Sequence, residues 1–229
     1  MATHVVTSAG SGIGLAIAQR LSNRGDELLL LARDRNGGAE LASRIHGARA
    51  LVADLADPAG ISAALAAQYL PDRLDSVLHV AGVVDLGSVF ESGVNLWREI
   101  VDVNLLAPAE LTRLLLPALR SGRGQVVFVN SSAVLSVTAG RSAYAASKHG
   151  LRALADSLRV EAHEHGVRVT SVYPGRTATP MQQKVLAQEG KEFRTARWID
   201  PESVATTVLT ALDLPRDAEI TDLTVRHGV

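Results

Sequence analysis

Short apolar segments recur along the chain and are separated by longer segments, rich in Ala and Leu, that have helical periodicity. The segments 28–31 (four leucines) and 126–129 (Val-Val-Phe-Val) show no alternation of apolar and polar residues. Strands of this kind are buried on both faces, as in a parallel sheet between two layers of helices. Successive parallel strands are joined by right-handed crossovers. The pattern therefore predicts an α/β fold with a doubly wound, seven-stranded parallel sheet and helices on both faces.

The predicted strands and helices alternate through the whole chain. The strands are expected at about 4–7, 27–32, 48–53, 76–80, 125–130, 168–173 and 220–225. The helices are expected at about 12–24, 35–45, 58–68, 95–119, 142–164 and 201–212. No repeat or linker interrupts them, so we expect one domain over residues 1–229, with a small substrate lid at about 176–198.

Composition limits the classes of protein that the chain can belong to. Apolar residues make up 47% of the sequence but aromatic residues only 3%, which predicts a core of Ala, Val and Leu in close helix-on-sheet packing. The formal net charge is −1 and the basic residues are scattered, which argues against nucleic acid as a partner. There is no cysteine, so disulfides and thiolate metal sites are excluded, and no metal site is predicted. No apolar run approaches the ~20 residues of a membrane span, and we expect a soluble, cytoplasmic protein with no membrane partner.

A glycine-rich turn follows the first predicted strand directly. It reads Thr7-Ser8-Ala9-Gly10-Ser11-Gly12-Ile13-Gly14 and leads into an amphipathic helix. Glycines at such a turn let backbone N–H groups approach a pyrophosphate, and the helix N-terminus adds partial positive charge. In its strand–turn–helix context, the loop predicts a dinucleotide site.

The end of the second predicted strand bears on the choice of dinucleotide. A carboxylate there suits the ribose 2′-OH of NAD, but the sequence has Ala32 and then Arg33, and an arginine suits the 2′-phosphate of NADP. NADP(H) is therefore favoured and NAD(H) stays possible, because Arg33 could be merely solvated while Asp34 takes the acidic role. After the third strand, Asp54 and Leu55 are placed to meet the adenine edge, although Asp54 could instead cap the helix expected near residue 58.

Tyr144 and Lys148 lie four residues apart, about one helical turn, so the phenol and the ammonium project from the same face. A neighbouring cation favours the phenolate, and we expect Lys148 to lower the pKa of Tyr144. A phenol tuned in this way suits general acid–base catalysis. Ser131 lies thirteen positions before Tyr144.

Together these residues resemble the short-chain dehydrogenase/reductase family, and the resemblance covers essentially the whole chain. The matching elements, in order, are the 7–14 loop, Asp54, Ala81-Gly82, Asn104, Ser131, Tyr144 with Lys148, and Pro174-Gly175 with Thr179. The resemblance implies a Rossmann fold and the interconversion of a carbonyl and an alcohol with a nicotinamide cofactor. The implied cofactor contacts are Thr7, Ser8, Gly10, Ser11, Gly12, Ile13, Gly14, Arg33, Asp54, Leu55, Ala81, Gly82, Tyr144, Lys148, Pro174, Gly175, Thr177 and Thr179.

The family mechanism assigns a role to each of four predicted catalytic residues. Tyr144 would exchange a proton with the substrate oxygen, and Lys148 would assist it and hold the nicotinamide ribose. Ser131 would stabilise charge on the substrate oxygen, with Ser132 as a less well spaced neighbour. Asn104 would hold a water that relays protons from Lys148, although the sequence alone favours a helix-interior residue that bonds nearby backbone.

The chain departs from the family pattern at three places. Ser8 stands where the family usually has glycine, and the usual Asn-Asn-Ala-Gly stretch reads His79-Val80-Ala81-Gly82. Ser11 stands where some NADP-dependent members have a basic residue, so the NADP prediction depends mainly on Arg33. His79 is expected to pack in or beside the sheet.

Substrate and assembly are less constrained. Segments 83–90, 133–141 and 176–198 are expected to line a pocket for a modest hydrophobic ketone, aldehyde or alcohol. The resemblance implies a homodimer or homotetramer that pairs helices 95–119 and 142–164. Two alternative functions agree less well with the sequence. A silent nucleotide-binding sensor or scaffold would tolerate loss of the four catalytic residues, which are all present, and a methyltransferase on a similar sheet would favour a carboxylate in place of Arg33.

Overall fold

The computed structural model describes residues 1–228, which form one domain around a parallel sheet of seven strands. The strands are β1 (Thr3–Thr7), β2 (Glu27–Ala32), β3 (Ala48–Val52), β4 (Ser76–His79), β5 (Gln125–Val129), β6 (Arg168–Pro174) and β7 (Asp222–Val225). Their order is β3-β2-β1-β4-β5-β6-β7, and each pair of neighbours runs parallel. The predicted Rossmann-type, doubly wound fold is confirmed, and the strand bounds differ from the predicted ones by two residues at most.

Helices cover both faces of the sheet. They are α1 (Gly12–Asn23), α2 (Arg35–Arg44), α3 (Ile61–Ala66), α4 (Val94–Val101), α5 (Ala107–Gly122), α6 (Ser142–Ala162), α7 (Pro180–Gln188) and α8 (Pro201–Leu212). Apolar side chains of α1 and α8 pack on one face, and those of α3, α5 and α6 pack on the other. The leucines of β2 alternate between these two cores, which explains why the strand is apolar without interruption.

The long helix predicted over 95–119 is interrupted. A π-helical turn at Asp102–Leu106 separates α4 from α5. Pro108 has no N–H to donate to the main-chain oxygen of Asn104 at the usual spacing of four, so a regular α-helix cannot continue through this point. The interruption falls at a predicted catalytic residue, Asn104, and turns its side chain towards the end of β4.

Two other predicted helices end or divide earlier than expected. The helix predicted over 58–68 begins as a 3₁₀ turn, Pro58–Gly60, and continues as α3. α6 ends at Ala162 and a 3₁₀ turn follows, which Gly166 stops with a φ of +68°. Glycine adopts this left-handed conformation without steric cost.

Two whole-molecule properties bear on function. Within residues 1–228, no helix is both long and apolar enough to cross a membrane. The same residues contain no group of three or more His, Asp or Glu side chains that could hold a metal ion.

Candidate active site

The main cavity opens at the carboxyl ends of the strands and has a volume of about 540 Å³. The turn after β1, the loops after β4, β5 and β6, the start of α6 and helix α7 all contribute to its lining. In a doubly wound sheet this edge is where ligands bind, because the loops diverge there. Of the eighteen residues predicted to contact a cofactor, twelve line this cavity: Ser8, Ser11, Gly12, Ile13, Gly14, Gly82, Tyr144, Lys148, Pro174, Gly175, Thr177 and Thr179.

The glycine-rich turn is held tightly by its own backbone. A Cβ added to Gly14 would lie 2.1 Å from the main-chain oxygen of Ser8, so only glycine fits at position 14. Gly12 has a φ of +52°, and a Cβ there would lie 2.9 Å from Cγ2 of Thr179. Ser8 itself has a φ of +60°, a left-handed conformation that disfavours side chains. The family's usual glycine at this position therefore has a backbone reason, and the serine occupies it under strain.

Thr7 and Gly10 lie in the same turn but do not line the cavity. The Thr7 hydroxyl accepts hydrogen bonds from the backbone N–H groups of Val80 and Ala81, both at 2.8 Å. It thereby ties the end of β1 to the end of β4. Thr7 and Ala81 thus support the cavity from behind and do not line it.

The adenine-side predictions lie outside the main cavity. Arg33 is exposed at the end of β2, where no wall of the cavity reaches it. The Asp34 carboxylate accepts a hydrogen bond from Gly37 N at 2.9 Å and caps α2, so it is already engaged. Asp54 accepts from Ala56 N at 2.9 Å, and Leu55 is only partly buried. The alternative that Asp54 caps the next helix is wrong, because Asp57 caps the turn at Pro58–Gly60.

Tyr144 is buried in the cavity wall within an apolar cluster that includes Val84 and Val185. Burial raises the pKa of its phenol, and the Ser131 side chain and the Arg141 charge offset part of that rise. The expectation that Lys148 lowers the pKa of Tyr144 is therefore wrong for the protein alone. Desolvation is the largest effect on the phenol, and the cation that opposes it is Arg141, three residues before Tyr144.

Lys148 is 3% exposed, and its ammonium donates a hydrogen bond to the main-chain oxygen of Val129 at 3.3 Å. Among residues 1–228 no carboxylate pairs with it, and burial lowers its pKa to about 8. A buried ammonium with one hydrogen bond retains donors for a ligand in the same cavity. The ammonium of Lys148 thus lies in the wall of the cavity.

The other predicted catalytic residues lie around the same space. Ser131 lines the cavity at the end of β5, and its hydroxyl accepts from Ala133 N at 3.1 Å. Asn104 is fully buried behind the wall: its side chain accepts from Val83 N at 2.7 Å and donates to Ser147 Oγ at 3.0 Å. The Asn104 side chain therefore bonds nearby structure, the alternative that the sequence alone favoured.

The loop after β6 carries two threonines whose hydroxyls bond main-chain oxygens of the same loop. Thr177 donates to the main-chain oxygen of Gly175 at 3.0 Å, and Thr179 donates to that of Thr177 at 3.3 Å. The Thr179 hydroxyl also accepts from Gln182 N at 3.2 Å and so caps α7. Thr179 therefore joins the loop after β6 to the start of α7, and both contribute to the cavity lining.

Sequence reasoning missed several lining residues. Asn130 is buried beside Ser131; its Nδ2 donates to the Lys148 carbonyl at 3.1 Å, and its Oδ1 has no partner within residues 1–228. Arg226 and His227 also line the cavity, because β7 pairs Val225 with Pro174 in register. That register follows from a parallel β6–β7 pair, so the signal was present in the predicted strands.

Comparison with known proteins gives consistent matches over the chain. The family model for short chain dehydrogenase matches residues 2–190. Oxidoreductase UcpA of Escherichia coli O157:H7 is 32% identical over 223 residues, which cover 95% of this chain and 82% of that protein. Dehydrogenase/reductase SDR family member 7B of Xenopus tropicalis is 31% identical over 225 residues, covering 91% of this chain and 73% of that protein.

A solved structure also matches closely. It is a Beutenbergia cavernae protein, provisionally described as an NAD(P)-dependent gluconate 5-dehydrogenase, with NADP bound at low occupancy. The two chains are 31% identical with a TM-score of 0.82, and the match covers 97% of this chain and 94% of the other.

Proposed function

The chain belongs to the short-chain dehydrogenase family, and we propose that it is an NADP(H)-dependent oxidoreductase that interconverts a carbonyl group and an alcohol. The observation that carries the proposal is that Ser131, Tyr144 and Lys148 line the same cavity as the glycine-rich turn. A proton donor and a dinucleotide-binding turn in one chamber can both reach a single bound carbon, which is the geometric requirement of hydride transfer.

The residues of the cavity fit a nicotinamide dinucleotide. The Ser11 side chain makes no capping hydrogen bond, so it leaves the first N–H groups of α1 to other acceptors, such as a pyrophosphate. A Cβ on Gly82 would lie 3.2 Å from Asn104 Oδ1 and 3.5 Å from Lys148 Nζ, so glycine keeps this approach to Lys148 open. We propose that the turn holds the pyrophosphate, Lys148 and Tyr144 hold the ribose, and Thr177 and Thr179 hold the nicotinamide carboxamide. When bound, the nicotinamide supplies or accepts the hydride.

Tyr144 is proposed as the proton donor to the substrate oxygen. Burial raises the pKa of the phenol, so at neutral pH it keeps its proton and is ready to donate it during reduction. Oxidation of an alcohol needs the phenolate, which higher pH favours. The Ser131 hydroxyl would hold the substrate oxygen and stabilise the charge that develops on it.

Lys148 and Asn104 are proposed to support proton transfer. The Lys148 ammonium lies in the cavity next to the Tyr144 ring and would stabilise negative charge left on the phenol. Asn104 would hold a relay water through its main chain, since its side chain bonds Val83 and Ser147. The π-helical turn at Asn104 supports this proposal because it disturbs the regular helical bonding there.

The choice of NADP(H) over NAD(H) is proposed on Arg33. It stands exposed at the end of β2, free of the Asp34 carboxylate, which is occupied in capping α2. A guanidinium in this position can form charge-assisted hydrogen bonds with a 2′-phosphate. Arg35 lies two residues on and is also exposed.

We also propose that the protein forms a homodimer or homotetramer through α4, α5 and α6. Val94 is 62% exposed and Val160 80% exposed, and Leu106 lies between α4 and α5 at 46% exposure. Apolar side chains on neighbouring helices supply the kind of surface that association buries.

The test is a panel of ketones and aldehydes incubated with the purified protein and NADPH, with NADPH absorbance as the readout. The panel should begin with small aliphatic and aromatic diketones, whose carbonyls are readily reduced. We expect NADPH consumption that depends on both protein and carbonyl. Tight NADPH binding with no turnover across the panel would favour the silent nucleotide-binding alternative.

A further inference from the structure

The charged side chains that line the cavity are positive. Arg141, Lys148, Arg176 and Arg226 contribute to it, and within residues 1–228 no aspartate or glutamate side chain does. The glycine-rich turn is proposed to hold the dinucleotide phosphates. Arg141 immediately precedes α6, and its charge acts on the phenol of Tyr144, the proposed proton donor, so it is placed to meet the substrate.

Two of these arginines converge on one carboxylate. Arg176 makes two hydrogen bonds to Glu189, from Nη1 to Oε2 at 3.0 Å and from Nη2 to Oε1 at 2.6 Å. Arg141 Nη2 also donates to Glu189 Oε1. The three side chains are only 14–30% exposed, so the pair of guanidiniums is held in place. We call Arg141 and Arg176 together the arginine pair.

Positive charge exceeds negative charge at this point. Lys191 also contacts Glu189, at 3.0 Å, so three cations surround a single carboxylate. These contacts hold the pKa of Glu189 down at about 2, Arg176 having the largest effect. Within residues 1–228, Arg141 donates only through Nη2, which leaves its Nε and Nη1 hydrogens for a ligand.

The arginine pair lies close to the proposed proton donor. Arg141 comes one helical turn before Tyr144, and its charge acts directly on the phenol. Val84 and Val185 pack with Tyr144 in an apolar cluster, and Met181 packs against that cluster. A ligand that contacts Tyr144 therefore meets both the charge of Arg141 and an apolar surface.

We propose that the substrate is a small aliphatic oxo acid or hydroxy acid, whose carboxylate binds the arginine pair while its carbon chain packs against Val84, Met181 and Val185. This proposal rests on the proposed oxidoreductase function and specifies its substrate class. The reacting oxygen then lies at Tyr144 and Ser131, between the two sites. The buried Gln182 side chain adds a further donor, because its Nε2 has no partner within residues 1–228 and the residue lines the cavity.

The competing explanation is that the arginine pair only fastens α7 over the cavity through Glu189. Asp85 also ties α7 to the loop after β4, since it accepts from Lys184 at 2.7 Å. A purely structural role predicts that loss of either arginine harms all substrates alike. A carboxylate-binding role predicts harm to anionic substrates alone.

The first experiment compares acids with their methyl esters. Reduction by NADPH of 2-, 3- and 4-oxo acids of four to six carbons is measured beside the ester of each, which has the same carbonyl and a similar shape without the charge. We expect kcat/KM for at least one acid to exceed that of its ester by about tenfold or more. Equal values for every pair, with turnover of both, would overturn the substrate class and leave the oxidoreductase function standing.

Two variants then test whether the arginine pair causes the preference for the acid over the ester. Arg141→Gln and Arg176→Gln should each lower kcat/KM for the acid by about 10–100-fold, mainly through KM, and change the ester by less than about threefold. Arg194→Gln is the matched control, because Arg194 follows Arg176 in the segment 176–198 and, within residues 1–228, pairs only with Glu192. Equal losses for acid and ester in the arginine-pair variants would show a structural fastening role and refute the proposal.

A binding measurement tests the carboxylate site without requiring turnover. Protein saturated with NADP⁺ is titrated with butyrate or butyramide, and the melting temperature is followed. Butyrate should raise it saturably and butyramide should not, and Arg141→Gln should abolish the butyrate effect. A butyrate effect without turnover of any carbonyl would support the anion site while refuting the oxidoreductase function; equal effects of both compounds would refute the anion site.

Discussion

The Lys148 ammonium lies 5.9 Å from the centre of the Tyr144 ring, and both side chains are buried in the same cavity wall. Lys148 donates to the Val129 carbonyl, and burial remains the largest effect on the pKa of Tyr144, which is raised. Desolvation disfavours the charged form of both groups, so it raises the pKa of the phenol and lowers the pKa of the ammonium. The pKa of each group is thus shifted so that its neutral form is favoured. The first two predictions depend on these shifts.

Tyr144→Phe should lower the turnover of carbonyl substrates by roughly 10²–10⁴-fold, because it removes the proposed proton donor and little else. NADPH affinity, measured by fluorescence titration, should change by less than about tenfold. Tyr69→Phe is the control, since Tyr69 is 70% exposed and lies outside the cavity. Substantial residual turnover in Tyr144→Phe would show that another group donates the proton.

Lys148→Met should change how stability depends on pH. The pKa of Lys148 is lowered from 10.5 to about 8, so between these values the unfolded chain binds a proton that the folded protein does not. Stability of the wild type therefore rises with pH across this window, by about 3 kcal/mol in all, relative to the variant. Urea titrations at several pH values measure the difference. Lys184→Met, at an exposed lysine of α7, should show no such trend; a constant difference between wild type and Lys148→Met would refute the burial effect.

Arg33→Ala should reduce the preference for NADPH over NADH by about 1–3 kcal/mol, the usual worth of charge-assisted hydrogen bonds. The readout is the ratio of the two dissociation constants. Arg44→Ala, at the far end of α2, should leave the ratio unchanged. Tighter binding of NADH than NADPH by the unmodified protein would contradict the NADP proposal.

The sheet was predictable because its cause is local. Each buried strand needs apolar residues on both faces, and that requirement is visible in residues 27–32 and 125–129 without any tertiary knowledge. The glycine-rich turn was predictable for the same reason, since Gly14 is required by a backbone oxygen only six residues away.

The electrostatics of the site could not be predicted in the same way. The spacing of Tyr144 and Lys148 places the two side chains on one face but does not reveal how completely both are desolvated or that Lys148 bonds Val129. The interruption at Asn104 precedes Pro108, and the Asn104 side chain donates to Ser147, forty-three residues further along the chain. Contacts of this kind exist only once the fold has formed.

Ser8→Gly should stabilise the protein. Ser8 has a φ of +60°, which costs a residue with a side chain about 1–2 kcal/mol, and glycine removes that cost while losing up to about 1 kcal/mol of unfolded-state entropy. We expect the free energy of unfolding to rise by about 0.5–1 kcal/mol. Ser11→Gly is the matched control three residues later: its φ of −159° is extended, so only the entropic loss applies and stability should fall. A loss of stability in both variants would show that Ser8 is not strained.

His79 makes the protein sensitive to acid. Its ring is buried, stacks on Phe128 with centroids 4.9 Å apart, and shares a 2.8 Å hydrogen bond with the Thr112 hydroxyl. Burial lowers its pKa from 6.5 to about 3, so below pH 6.5 the unfolded chain takes up a proton that the folded protein refuses. This contribution to stability therefore falls as pH falls, by about 2 kcal/mol between pH 6.5 and 4.5.

His79→Asn, which restores the residue usual in the family, should be less stable than the wild type at pH 7, because it loses the stacking contact and leaves a void beside Phe128. The deficit should shrink as the pH is lowered to 4.5, because the variant has no buried imidazole at this position to protonate. His4, which is also buried with a lowered pKa, remains in both proteins and cancels in the difference. His227→Asn, at an exposed histidine, is the control and should follow the wild type throughout. Urea titrations between pH 7 and 4.5 measure the free energy of unfolding of each protein. If the free energies of wild type and His79→Asn change with pH in parallel, the imidazole does become protonated inside the fold.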